Sequence, residues 1–416
     1  MIPLLERIDL DKTYQFLLVI LAFLMPVTVF GANTIIVFIC FIWLFSGNYK
    51  SKFHQIRNNK LMLASIAFFT LHVVGLAWTE DLSWGLHIVH KMWYFLLLFP
   101  ILYTIVSRKY IKHYLSSFLL AISITEILSY LVWFEVISPF KNATVYNPTP
   151  FMSHISYNPI LAFAIYLIGH EILFNSKINA FKRYAYSFFM ITMSINMFIT
   201  GGRAGQVMFF AVLSILIFQY FNYQKIKSLV AILIVTSSVF FTAYQTSDIF
   251  HLRANNAISE ILHYGTLELT EAAKEAGAQN NKNTSVGQRI TYTLNSWEVI
   301  MKNPIIGIGT GDFPTEYTKV HTKNTPEVNN TAQPHNMYIL VLMQLGLIGL
   351  ISFLLIFYYQ IKLSFLSKNK FIRDVGIALP LLFLLIMWSD SYLLGHYTSL
   401  MYIFFSSFLY KDFEKS

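Results

Sequence analysis

Apolar runs near the length of a membrane crossing recur along the chain, separated by short polar connections, with none of the sustained two-residue alternation that marks a half-buried strand. A bilayer core takes roughly 20 apolar residues per helix, so these runs predict membrane-spanning helices. They fall at about 14–30, 32–46, 61–78, 85–105, 114–138, 157–174, 184–200, 205–221, 228–246, 335–357, 374–389 and 397–410. Twelve crossings return the chain to its starting side. The expected fold is an all-α polytopic membrane protein, one membrane domain over residues 1–416.

One polar interval is much longer than the rest. Within the loop 245–334, residues Ala254–Gln279 and Val286–Lys302 carry amphipathic helical patterns, followed by the Pro/Gly-rich turn NPIIGIGTGDFP. The interval is too small for a confident core of its own and is expected to fold down onto the membrane helices. A shorter connection, Pro139–Tyr157, is rich in proline and asparagine and predicts turns. The chain shows no internal repeat and no low-complexity tract.

Composition agrees with a lipid solvent: of 416 residues, 56% are hydrophobic and only 12% charged. The net charge of +9 is distributed as membrane orientation requires, and this excludes a nucleic-acid partner. The N-terminus, five alternate connections and the C-terminus together hold twenty Lys and Arg, whereas the short connections on the other side hold Lys141 and Arg203. By the positive-inside rule both termini are cytoplasmic and the long loop is external. The first apolar run is taken as a true span rather than a signal peptide, because a second follows at once. The single cysteine, Cys40, permits no internal disulfide.

Against this apolar background a few polar residues stand out. Lys91 lies roughly 10 Å along the fourth helix from Trp84, where an ammonium either snorkels to the interface or meets an anion. Arg203 follows Gly201 and Gly202 in ITGGRAGQV; a sharp turn, a helix N-terminus and a guanidinium together suit a phosphate, although a tight turn alone also explains the glycines. Arg289 sits on the second amphipathic helix of the loop, as a ligand or as part of a solvated face. His335 opens the tenth span, where the helix N-terminus and nearby arginines favour a neutral ring able to accept a proton. Gly346 and Gly349 fall within about 40° of the histidine's face at 100° per residue, leaving a strip without side chains. That strip is either a groove for a lipid chain or a place of close helix packing. Glu126, Glu135 and Asp390 are supporting intramembrane acids. Asp9 and Asp11 have D-x-D spacing but fall on the cytoplasmic side, so no catalytic metal is expected.

His335-Asn336, nine residues, Gly346, two residues and Gly349 resemble the H-N-x9-G-x-x-G signature of bacterial O-antigen ligases. The segment Arg289–Phe313, the GGRAG turn and the long loop between the ninth and tenth spans resemble the wider ligase and polymerase superfamily. The resemblance implies a GT-C-like glycosyltransferase that moves a finished glycan from undecaprenyl diphosphate to a sugar of the lipid A core, at the periplasmic face of the bacterial inner membrane. It implies His335 as the essential histidine, Arg203 and Arg289 as catalytic arginines on the diphosphate, and Lys91, Asn336, Gly202, Gly346 and Gly349 as substrate-binding. It implies no ATP, no metal and no other cofactor; the partners are the lipid-linked donor, the lipid A-core acceptor and membrane lipids. O-antigen or exopolysaccharide polymerases and a lipid-linked oligosaccharide transporter are the alternatives. A single large external loop favours the ligase.

Overall fold

The computed structural model describes residues 9–222, 224–262 and 281–411. Among them the regular elements are helices, with one isolated bridge between Thr144 and Asn147. The chain begins with Leu10–Leu24 (α1) and Val29–Phe45 (α2), then bends by 114° at Gly47 and Asn48 into the short basic helix Tyr49–Arg57 (α3). Lys60–Val74 (α4), Leu82–Lys91 (α5) and Phe99–Ile105 (α6) follow, the last two joined through a π-helical segment, Tyr94–Leu98. Then come Ile111–Trp133 (α7), His154–Phe174 (α8), Ala180–Ile199 (α9), Arg203–Tyr220 (α10) and Lys225–Thr246 (α11). The long loop contributes Asp248–Leu262 (α12), Ser285–Lys302 (α13) and Phe313–Asn324 (α14). The rest of the helical pattern expected over 254–279 lies outside the described residues. Met337–Leu366 (α15), Lys370–Ile386 (α16) and His396–Leu409 (α17) complete the bundle.

Burial runs opposite to that of a water-soluble protein at the rim of this bundle. α8 and α17 are enclosed almost along their whole lengths, whereas α11 leaves Ile226 80% and Leu233 68% exposed. Such an apolar face is stable only where the solvent is itself apolar, and the helix satisfies its backbone groups internally as lipid demands. Seven described helical stretches are long and apolar enough to cross a membrane, and an eighth crossing follows if the bent pair α2–α3 is counted as one. The other predicted spans fall on α1, α9, α16 and α17, of which all but the 20-residue α9 are shorter than a full crossing.

Two antiparallel pairings set the ends of the bundle. At one end Gln219 of α10 donates to the carbonyl of Asp374 (3.0 Å), and at the other Val207 and Leu385 line one groove, so α10 and α16 run in opposite directions. α15 is likewise antiparallel to α16: the Met337 amide donates to the Met387 carbonyl (2.9 Å), while Ser364 lies against Gly376. Arg203, His335 and Asp390 therefore share one end, where the long loop also docks.

The docking is made by the Pro/Gly-rich turn. α15 is broken at Gly346, whose φ of 60° and ψ of −160° interrupt the helical ladder. The break frees the carbonyls of Met343 and Gln344 and the amides of Leu347 and Ile348. Ile308 and Gly309 donate to the first two (both 3.0 Å), and the carbonyls of Pro304 and Ile305 accept from the second two (2.9 and 3.2 Å). A Cβ on Gly346 would lie 2.2 Å from the Ile305 carbonyl oxygen, and one on Gly307 2.4 Å from that of Gln344. The space beneath His335 is thus filled by protein backbone, and Gly349 faces the side chain of Leu345. Gly346 and Gly349 make close packing contacts, one of the two uses expected of the strip. Beyond the turn, buried Asp312 accepts from the Thr79 hydroxyl (2.5 Å) and from the amides of Glu80 and Asp81 (both 2.8 Å), clamping the loop to the connection between α4 and α5.

Candidate active site

Three elements meet at the loop end of the bundle. The first is the entry to α15. Asn336 caps that helix, its side-chain oxygen accepting from the Tyr338 and Ile339 amides (3.0 and 3.1 Å), and it is buried. The side-chain oxygen of Asn336 is thereby committed to positioning the start of the helix. His335, just before the cap, has a left-handed backbone with φ of 50°. That conformation costs roughly 1–2 kcal/mol in a non-glycine residue and is held by the cap and the Met337–Met387 bond.

The second element is the chain leaving α16. Asp390 lies 3.2 Å from Nδ1 of His335 through Oδ1, which also accepts from the Ser391 amide (2.7 Å). An ionised carboxylate only accepts hydrogen bonds, so the proton of a neutral ring sits on Nδ1 and the lone pair on Nε2. The histidine side chain is 31% exposed, against 14% for Asp390. The carboxylate is the covered orienting group and the imidazole the accessible one.

The third element is α13, started by Thr284, whose hydroxyl accepts from the Gly287 amide (3.2 Å). One turn apart on one face, Arg289 and Tyr292 both reach this place. Arg289 Nε donates to the carbonyl of Ser389 (3.1 Å), the residue before Asp390, and Nη1 to the carbonyl and hydroxyl of Ser285 (2.9 and 2.5 Å). Nη2 keeps its hydrogens without a partner among the described residues. The Tyr292 ring lies nearly parallel to His335, 6.1 Å between centroids. Burial raises the Tyr292 phenol above its usual range, with Arg289 pulling the other way, so it stays protonated at neutral pH.

Arg203 stands in the first turn of α10, at the same end of the bundle; that turn has no side-chain cap, which leaves amides directed outward. The connection 134–153 folds over it, and Asn147 accepts from the Gly201 amide (3.0 Å). Gly202 has a packing reason: a Cβ there would lie 2.6 Å from Asn158 Nδ2, and one on Gly205 2.1 Å from Asn158 Cβ. Both glycines let α10 approach α8. Lys91 ends α5 just before the π segment, half-buried, with no hydrogen bond or ion pair among the described residues. Three residues on, Tyr94 pairs with Nδ1 of His396 (2.6 Å), which ties α5 to the segment following Asp390. Arg203 and Lys91 stand on other helices, and the contacts that join residues directly are those of His335, Asp390, Arg289 and Tyr292.

Asp390 was visible in the sequence only as one acid among several; Tyr292, Asp312 and His396 carried no signal beyond their neighbourhood to known motifs. Among the described residues the buried Nε2 of His396 has no hydrogen-bond partner. Asp9 and Asp11 have structural uses: Asp9 caps α1 through the Lys12 amide (3.2 Å), and Asp11 holds Gln15 (2.9 Å).

An all-α polytopic membrane protein with a histidine–aspartate pair and an arginine where its long loop docks is the class that fold and site define. A family model described as O-antigen ligase matches residues 188–354, a stretch that contains Arg203, Arg289, His335 and the break at Gly346. The match supports membership of the O-antigen ligase superfamily, which comprises ligases and polymerases. An uncharacterized protein of Haemophilus influenzae is 29% identical over 216 residues, and the alignment spans 50% of this chain and 51% of that relative.

Proposed function

We propose that the protein is an O-antigen ligase, transferring a glycan from undecaprenyl diphosphate to a sugar hydroxyl of the lipid A core at the periplasmic face of the inner membrane. The topology belongs to the same proposal: twelve crossings, both termini cytoplasmic and the long loop outside. The observation that carries the reading is the His335–Asp390 pair with Arg289 anchored on the adjacent Ser389 carbonyl.

The acceptor hydroxyl gives its proton to Nε2 of His335 as its oxygen bonds to the anomeric carbon. The bond from that carbon to the diphosphate oxygen breaks, and its electron pair leaves with the diphosphate. Attack from the face opposite the leaving group inverts the anomeric centre. Arg289, through its uncommitted Nη2, and Arg203, beside the amides of α10, neutralise the charge that grows on the departing oxygens, with Lys91 assisting. Asp390 stabilises the imidazolium that forms.

His335→Ala, reconstituted with lipid-linked glycan and acceptor, is expected to give no transfer above background while remaining inserted and folded. Near-normal transfer would remove His335 from the role of base. Movement of donor without covalent product would make the protein a transporter. In cells lacking the gene, the ligase reading expects loss of all long chains from the core with polymer accumulating on its carrier; single-unit caps on the core would assign a polymerase. Arg289→Lys is expected to lower turnover at least about tenfold, because one ammonium cannot hold Ser389 and Ser285 and still present a planar fork to phosphate. Retention of full turnover would show that a point charge suffices.

A further inference from the structure

The opposite end of the bundle carries a second polar site. Asp374 of α16, roughly 18 Å along the helix from Ile386 at 1.5 Å per residue, is fully buried. Its carboxylate is met by Lys370 (2.6 Å), His170 Nε2 (3.2 Å) and Arg373 (3.5 Å), which locks the start of α16 against the end of α8. Beside this lock lies a cavity of about 350 Å³, bounded by the residues before and within the first turn of α7, the end of α8 and the start of α16.

The charges around the cavity do not balance. Arg108, Lys109, Lys112 and Lys370 line it, against one carboxylate, Glu171. Lys370 is committed to Asp374, and Arg108 donates to the carbonyls of Phe408 and Leu409 at the end of α17 (3.2 and 3.1 Å). Lys109 and Lys112 are exposed and have no ion pair among the described residues. Glu171 accepts from Asn175 (2.7 Å). Ile111, Leu115, Phe174, Phe371 and Ile372 give the cavity an apolar wall, beside the polar His170, Asn175 and Asn369. Orientation by positive charge needs lysines anywhere in these connections; it does not need them gathered around a cavity between membrane helices.

We propose that this cavity binds the phosphate of an anionic membrane lipid, with the acyl chains lying outward along the apolar wall. Its surplus of cations selects the charge, and its place at the ends of membrane helices selects a lipid over a free anion. The site is separate from the His335 site and does not depend on the transferase reading.

The test uses the full chain in micelles doped with equal phosphatidylglycerol and phosphatidylcholine, with retained lipids counted by native mass spectrometry. The parent protein should retain phosphatidylglycerol selectively, and the double variant K109Q/K112Q should retain it at least about tenfold less, since two of the cations that draw an anionic lipid are removed. K50Q/K60Q, which removes two exposed cations of α3 and α4, should behave as the parent. Equal losses in both variants would reduce the effect to general surface charge and overturn the site. Displacement of the lipid by equimolar inorganic phosphate would overturn the lipid assignment in favour of a free-anion site. Unchanged thermal unfolding of K109Q/K112Q without added lipid confirms that the comparison is between folded proteins.

Discussion

Asp390→Asn is expected to lower the turnover of glycan transfer about 10²-fold or more, with donor KM little changed and the protein still folded in the membrane. General base catalysis contributes roughly 10²- to 10⁴-fold, and a base that becomes a cation needs a counter-charge as it does so. The substitution separates charge from geometry. The Asn oxygen can still accept from the Ser391 amide and from His335 Nδ1, as Oδ1 of Asp390 does at 2.7 and 3.2 Å, so the ring keeps its orientation and its tautomer. What disappears is the negative charge that stabilises the imidazolium in the transition state. Asp390→Ala removes the oxygen as well and should lose more. The measurement is steady-state transfer with lipid-linked donor and acceptor, alongside donor binding. Turnover within about threefold of the parent in Asp390→Asn would show that the carboxylate is only a packing partner. A rise in KM with unchanged turnover would place it in donor binding.

The hydrophobic pattern was enough to show an all-α polytopic membrane protein, because the solvent acts on one residue at a time: each apolar run near 20 residues is its own signal. The site was legible in its parts and not in its joins. His335, Arg289 and Arg203 stand out by residue type and by neighbouring glycines or prolines, but the partner that orients the histidine lies 55 residues further along the chain. Nothing in the local sequence around Asp390 distinguishes it from Glu126 or Glu135. The packing made by the glycines was legible only in part. Placing Gly346 and Gly349 on the face of His335 assumes 100° per residue throughout, and the positive φ at Gly346 ends that regularity at the first of the two. For Gly202, a turn signal concealed a packing one, because Asn158 of α8 is 44 residues away in sequence and against it in space.

Gly346→Ala should have the largest effect on folding. An alanine at φ 60° and ψ −160° occupies a region that L side chains rarely adopt, which costs on the order of 1–3 kcal/mol before any contact is counted. Its methyl group would also lie 2.2 Å from the Ile305 carbonyl oxygen and 2.6 Å from the Ile306 amide nitrogen, backbone atoms that can retreat only by withdrawing the turn. Withdrawal breaks the four backbone hydrogen bonds that close the gap in α15 and leaves their partners unpaired where little water reaches them. The expected result is a loss of several kcal/mol, seen as a large drop in folded protein recovered from membranes and in thermal unfolding temperature, with transfer lost in parallel. A second variant keeps the cause identifiable. Asp312→Asn leaves the break in α15 intact but weakens the clamp on Thr79, Glu80 and Asp81, so it should loosen the loop and lower transfer while α15 itself stays folded. Had the glycines lined a lipid groove, Gly346→Ala would narrow that groove and raise donor KM without destabilising the protein. A stable Gly346→Ala variant with weakened donor binding would therefore return these glycines to the substrate and separate the loop from the break.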